Sequence, residues 1–173
     1  MNVKKSPMKQ NINTLEEALV LELEALYQAE AKLREGLKKM TTIIQSPKLQ
    51  DILKRYLESC DHKRTKVDRV FSYLNREPRS CHTHVVDEFI NELYDRLKFA
   101  QEPMVQNHVL VSELLRINRY KASAYEASLH YAETLGLETA ADLLQTIVHW
   151  EKSDERELLE LFFHEWSEEN VLL

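Results

Sequence analysis

The stretch LVLELEALYQAEAKLREGLKKMTTII, residues 19–44, decides the fold. Apolar residues recur in it at Leu19, Leu23, Leu26, Leu33, Leu37, Met40 and Ile44, in alternating steps of four and three. That is the stripe a long helix turns toward other helices. One place in the series, position 30, holds Glu30 instead of a hydrophobe. A carboxylate on a core stripe is costly unless a metal ion or a cation pairs with it. Which of the two meets Glu30 is the functional question.

Upstream, Thr14 followed by Glu17 is a capping-box signature, so a helix is expected to start there and to persist to about Gln45. Gly36 inside it reads as a point of close helix packing. Residues 1–12 carry lysines and Pro7 but no periodic hydrophobes, and read as a flexible basic tail before a single domain, 13–173.

Downstream, the same stripe appears three more times. Ser46-Pro47 suits a helix start, and Leu49, Leu53, Tyr56, Cys60, Val67, Val70 and Leu74 follow, interrupted by Lys63. Residues 75–82 contain Pro78 and no periodicity, so they form a connection. Thr83 is a candidate cap for a shorter helix with Val86, Phe89, Ile90, Leu93, Tyr94 and Leu97 on its apolar face. A third long helix is expected from Pro103 to Leu135-Gly136, with Val111, Leu115, Ala122, Tyr125, Leu129 and Ala132 on its stripe and Asn118 as the interruption. The fourth is expected from about Thr139 to Glu169, where Leu144, Ile147, Leu158 and Leu161 share a face with Glu151 and Asp154, and Glu155 stands at its edge. Four long helices and one shorter helix in the crossover predict an all-α, ferritin-like antiparallel four-helix bundle.

Composition agrees. Only 2 Gly and 4 Pro among 173 residues leave too few turn residues for a strand-rich fold. A net charge of −6 argues against a nucleic-acid partner. No apolar run approaches the roughly 20 residues of a membrane span, and the N-terminus lacks a secretory core, so a cytoplasmic protein is expected. Two cysteines make no disulfide framework. Cys60 reads as a small core residue, and Cys81-His82-Thr83-His84, even with His62, fits no usual structural zinc spacing.

Glu30, Lys63, Asn118 with Lys121, and Glu151 with Asp154 or Glu155 all fall near the midpoints of their helices. In an antiparallel bundle they meet in one polar layer. A di-iron or di-manganese carboxylate site needs one Glu from each of two helices and a Glu-x-x-His pair from each of the other two. The sequence contains no such pair; Glu58 with His62, and His149 before Glu151, have the wrong spacing or order. The residues therefore favour a buried ion-pair network, in which Lys63 and Lys121 stand among Glu30, Glu151 and Asp154, over a metal site. Lysines that snorkel to solvent are the third reading.

Several local strings, taken in register, carry a resemblance. They are Leu26-Tyr27-Gln28-Ala29-Glu30-Ala31-Lys32-Leu33, Tyr56-Leu57-Glu58, Ala124-Tyr125 through Glu133-Thr134-Leu135-Gly136, and Glu151-Lys152. The chain resembles the YciE/YciF-type ferritin-like family of bacterial stress-associated proteins over roughly residues 13–163. The resemblance implies a homodimer and a di-metal site in the bundle, with Glu30, Glu151 and Glu155 on the ligand positions. It also shows two departures. The family's His-x-x-Glu-Thr run stands here as Tyr56-Leu57-Glu58-Ser59-Cys60, and its Glu-His-Tyr-Glu pattern as Asn118-Arg119-Tyr120-Lys121. Acidic ligands are lost and cations gained, so the expected protein is stress-associated and non-catalytic, without a favoured cofactor. A di-metal oxidoreductase or iron-handling protein is the alternative. The apolar C-terminus, with Phe162, Phe163, Trp166, Val171, Leu172 and Leu173, is expected to pack on the domain or on a second copy.

Overall fold

The computed structural model describes residues 11–80 and 84–164. The expectations for the basic tail before Asn11, for Cys81, His82 and Thr83, and for Trp166, Val171, Leu172 and Leu173 lie outside them. The helices are α1 (Leu15–Lys38), α2 (Met40–Ile43), α3 (Pro47–Tyr73), α4 (Val85–Phe99), α5 (Pro103–Thr134) and α6 (Glu138–His164). The capping box forms as expected: Thr14 accepts from the Glu17 amide, and the Glu17 carboxylate accepts from the Thr14 amide.

The first helix does not run unbroken to Gln45. It stops at Lys38, and a single turn, α2, follows after Lys39. The Thr41 and Thr42 hydroxyls donate to the Lys38 and Lys39 carbonyls at 2.8 Å each. Such back-bonding competes with regular helix, and the β-branched run Thr41-Thr42-Ile43-Ile44 adds to the strain on it. The stripe nonetheless holds through the break, because Met40 and Ile44 remain fully buried.

α1, α3, α5 and α6 are the four long members of the bundle. Ion pairs fix their directions: Arg76, just beyond α3, meets Glu16 at the start of α1 at 2.8 Å, and Arg34 meets Asp61 at 2.6 Å. α1 and α3 are therefore antiparallel neighbours, and α5 and α6 form a second antiparallel hairpin around Gly136, whose φ of 68° only a glycine adopts freely. α3 and α5 run parallel on the diagonal, so the chain must cross the length of the bundle between them. α4 occupies that crossover and packs on α1 and α5.

Gly36 marks a close approach of α1 and α4. A Cβ placed there would stand 2.8 Å from Cδ1 of Ile90 on α4, and the Tyr94 hydroxyl donates to the Gly36 carbonyl at 2.8 Å. The N-cap of α4 falls on His84, which makes no side-chain capping bond.

The hydrophobic core comes in two parts. One is built from Leu33 and Leu37 of α1, Leu49 and Leu53 of α3, Leu93 of α4, Leu110 and Leu114 of α5, and Leu158 of α6. The other gathers Leu19, Leu23, Val67, Phe71, Tyr125, Leu144 and Ile147. On α3, α5 and α6 the two parts are separated by two to three turns, with Lys63, Lys121 and Glu151 in those intervals, and on α1 Glu30 stands where the two parts meet.

Candidate functional site: a buried charge layer

α1 brings Glu30 to the bundle axis because it occupies a stripe position between Leu26 and Leu33. By the same periodicity α3 brings Lys63, α5 brings Asn118 and Lys121, and α6 brings Glu151. All five side chains are 0% exposed. Lys121 Nζ stands 3.1 Å from Glu30 Oε1 and 3.0 Å from Glu151 Oε1. Lys63 Nζ stands 2.9 Å from the same Glu151 oxygen and 2.8 Å from Asp154 Oδ2. The order across the bundle is thus Glu30, Lys121, Glu151, Lys63, Asp154, with charge alternating at each step.

Neutral groups hold each of the three carboxylates. The Tyr125 hydroxyl donates to Glu30 Oε1 at 3.0 Å, and Asn118 Nδ2 donates to Glu151 Oε2 at 2.5 Å. Ser59 Oγ lies 3.4 Å from Asp154 Oδ2, the network carboxylate that reaches partial solvent exposure. The Tyr56 ring lies beneath both ammoniums, 5.0 Å from Lys121 Nζ and 5.7 Å from Lys63 Nζ, close enough for cation–π attraction.

The titration behaviour follows from this geometry. Burial opposes ionisation of Glu151, but Lys121 and Lys63 outweigh it and hold its pKa below the usual carboxylate value. Burial likewise opposes the charge on Lys121, and the carboxylates of Glu151 and Glu30 outweigh it, raising its pKa well above the ordinary lysine value. Burial, reinforced by nearby carboxylates, keeps the Tyr56 and Tyr125 phenols and the Cys60 thiol protonated far above their usual ranges. Cys60 is a free, buried thiol, and such a thiol is a poor nucleophile.

The expected layer of Glu30, Lys63, Asn118, Lys121, Glu151 and Asp154 is brought together. Glu155 is not part of it: its carboxylate turns outward and takes Arg119 Nε at 2.7 Å. Of the looser ligand candidates, Glu58 and His149 are exposed, and His62 lies against Trp150 with ring centroids 6.4 Å apart. Among the described residues no group of three or more His, Cys, Asp or Glu side chains is arranged to hold a metal ion. Within the layer the two fully buried carboxylates and two ammoniums cancel, and Asp154 leaves one net negative charge, so a divalent ion added among them would put an excess of positive charge in the core. The donor set does not fit a di-metal centre.

Sequence reasoning missed three members, Tyr56, Tyr125 and Ser59. The two tyrosines sit on apolar stripes and pass there for plain core residues. The available signal is their spacing, one turn from Lys121 for Tyr125 and two turns from Lys63 for Tyr56, since a buried phenol seeks a polar partner. Two further buried acids lie off the stripes. Glu24 accepts from Arg79 Nε at 2.9 Å, and Glu113 meets Arg116 and Arg96 at 2.7 and 3.2 Å.

Residues 14–169 match the family described as "Domain of unknown function (DUF892)". The chain is 24% identical over 152 residues to Protein YciF of Escherichia coli K12, covering 87% of this chain and 92% of that protein. The crystal structure of the E. coli stress protein YciF superposes with a TM-score of 0.83 at 22% identity, covering 87% of this chain and 96% of the other. The structure of YcfI from Rhodopseudomonas palustris superposes with a TM-score of 0.84 at 24% identity, covering 88% and 97%.

Proposed function

The chain belongs to the DUF892 family, and within it we propose a stress-associated, non-catalytic protein whose bundle is closed at its midplane by lysine–carboxylate pairing where the resemblance would put a di-metal site. The observation that carries this reading is the position of Lys121 Nζ, fully buried and 3.0–3.1 Å from both Glu30 and Glu151. An ammonium there supplies the positive charge that a metal would otherwise supply to these two carboxylates. Lys63 does the same for Glu151 and Asp154.

A redox metal centre needs an open coordination position and ligands free to bind. Here Glu30 and Glu151 are committed to lysines, and Glu155 to Arg119. The buried thiol and phenols are held in their protonated, unreactive forms. The role left for such a protein is that of a folded scaffold or interaction partner in stress physiology, acting as a homodimer in the cytoplasm without nucleic acid or membrane as partner. Among the described residues no helix is long and apolar enough to cross a membrane.

Thermal unfolding with added Mn²⁺ or Fe²⁺, and with a chelator, tests the reading. A ligand that binds only the folded state raises Tm by mass action. An unchanged Tm in all conditions is expected. A Tm raised by metal and lowered by chelator contradicts the proposal.

A further inference from the structure

α6 is described as far as His164, at the end of the bundle where α5 begins. Phe162 packs on the core there and meets the His108 ring of α5, with centroids 5.9 Å apart. Phe163 stands edge-on to Phe162 at 5.2 Å and is 59% exposed. One turn before His108 lies Met104, 40% exposed, with Val105 beside it at 44%. His108 Nδ1 is 2.9 Å from the Met104 carbonyl, so the two residues share a face of α5. An exposed apolar edge thus continues the buried one, at the point where residues 165–173, EWSEENVLL, leave α6.

The antiparallel register says what comes next. The α6 residues that meet α5 are Glu151 with Asn118, Glu155 with Arg119, and Phe162 with His108. Four residues beyond Phe162 that face carries Trp166, and four residues before His108 stands Met104. The α6 residues that meet α3 are Trp150 with Lys66, Asp154 with Lys63, and Glu157 with Arg55. Continued past Leu161, that face brings Glu165 and Glu168 to the level of Lys48, exposed in the first turn of α3. A large aromatic thus falls on the apolar edge, and acids fall on a lysine. We propose that residues 165–173 dock on the end of this chain's own bundle, with Trp166 against Met104 and Val105 of α5 and the glutamates toward Lys48 of α3. The segment removes this end from the surfaces open to a second copy, so a homodimer uses another face. The inference stands on helix register and is independent of the charge-layer reading.

Tryptophan fluorescence tests it, because Trp150→Phe leaves Trp166 as the sole tryptophan of the full-length chain. Emission and acrylamide quenching are read in that chain, alone and with Met104→Asp or Val105→Asp, with folding checked by far-UV circular dichroism. Blue-shifted emission, quenched several-fold less than in denaturant and moved to the red by either aspartate, is expected. Emission as red and as quenchable as in the denatured chain overturns the inference, a readout that needs neither aspartate variant. Protected emission indifferent to both aspartates overturns it as well. The chain is then refolded with an excess of tryptophan-free chains (Trp150→Phe, Trp166→Phe) that carry Met104→Asp. Unchanged emission is expected, whereas a red shift places Trp166 on a second copy and contradicts the proposal.

Discussion

Lys121 holds apart two carboxylates that could not share the interior without it. Its replacement by Met keeps the bulk of the side chain but leaves Glu30 and Glu151 buried with one fewer cation between them. The expected loss is about 3–5 kcal/mol of stability, the usual cost of orphaning a buried charge. Adding Glu30→Gln to Lys121→Met should recover part of that loss, because the uncompensated charge goes too. Chemical denaturation of the two single variants and the double variant reads the coupling, and strictly additive losses would contradict it. At this scale the sequence was legible where a polar residue broke an apolar stripe, as at Glu30, Lys63 and Asn118. It was not legible at Tyr56 and Tyr125, whose rings satisfy the stripe while their hydroxyls join the layer. Glu155 misled because the helical edge it occupies is shared by core and solvent, and Arg119 decides the matter from another helix.

At the level of elements, the contact between α1 and α4 makes a sharp prediction. Gly36→Ala gains helix propensity of about 1 kcal/mol but sets a methyl against Ile90 at 2.8 Å. In an Ile90→Ala background that obstruction is gone. The substitution should therefore be more favourable there than in the wild type by about 1 kcal/mol or more, the scale of overpacking costs. Equal effects in both backgrounds, measured by denaturation, would show that α4 does not press on this glycine. The sequence indicated a close approach at Gly36 without identifying its partner, since Ile90 lies 54 residues away and nothing local ties the two. It also missed the break at Lys39. The hydrophobic period continues across it, whereas the competing Thr41 and Thr42 hydroxyl bonds are matters of local geometry.

For the whole molecule, the charge layer divides the core into two apolar halves and so ties global stability to pH. Glu151 has a folded-state pKa below its ordinary value, so its contribution is present above the unfolded value of 4.5 and is lost as pH falls through the lower folded value. Lys121 has the opposite sign: raised well above 10.5, it contributes fully below that value, and the contribution is lost as pH rises through the folded one. Guanidinium midpoints should therefore hold a plateau between these limits and fall on both sides. Glu151→Gln should flatten the acid side. An acid limb of the same steepness in that variant would remove Glu151 as its source. The bundle itself was legible because four stripes, bounded by prolines and a glycine, repeat one period. The chemistry at its centre needed the structure, since the sequence places an acid and a lysine at one level without saying whether they touch. The most direct measurement is elemental analysis of the protein purified without chelators. Iron, manganese and zinc far below one ion per chain are expected; about one or two bound ions per chain, as a di-metal bundle would hold, would contradict the account.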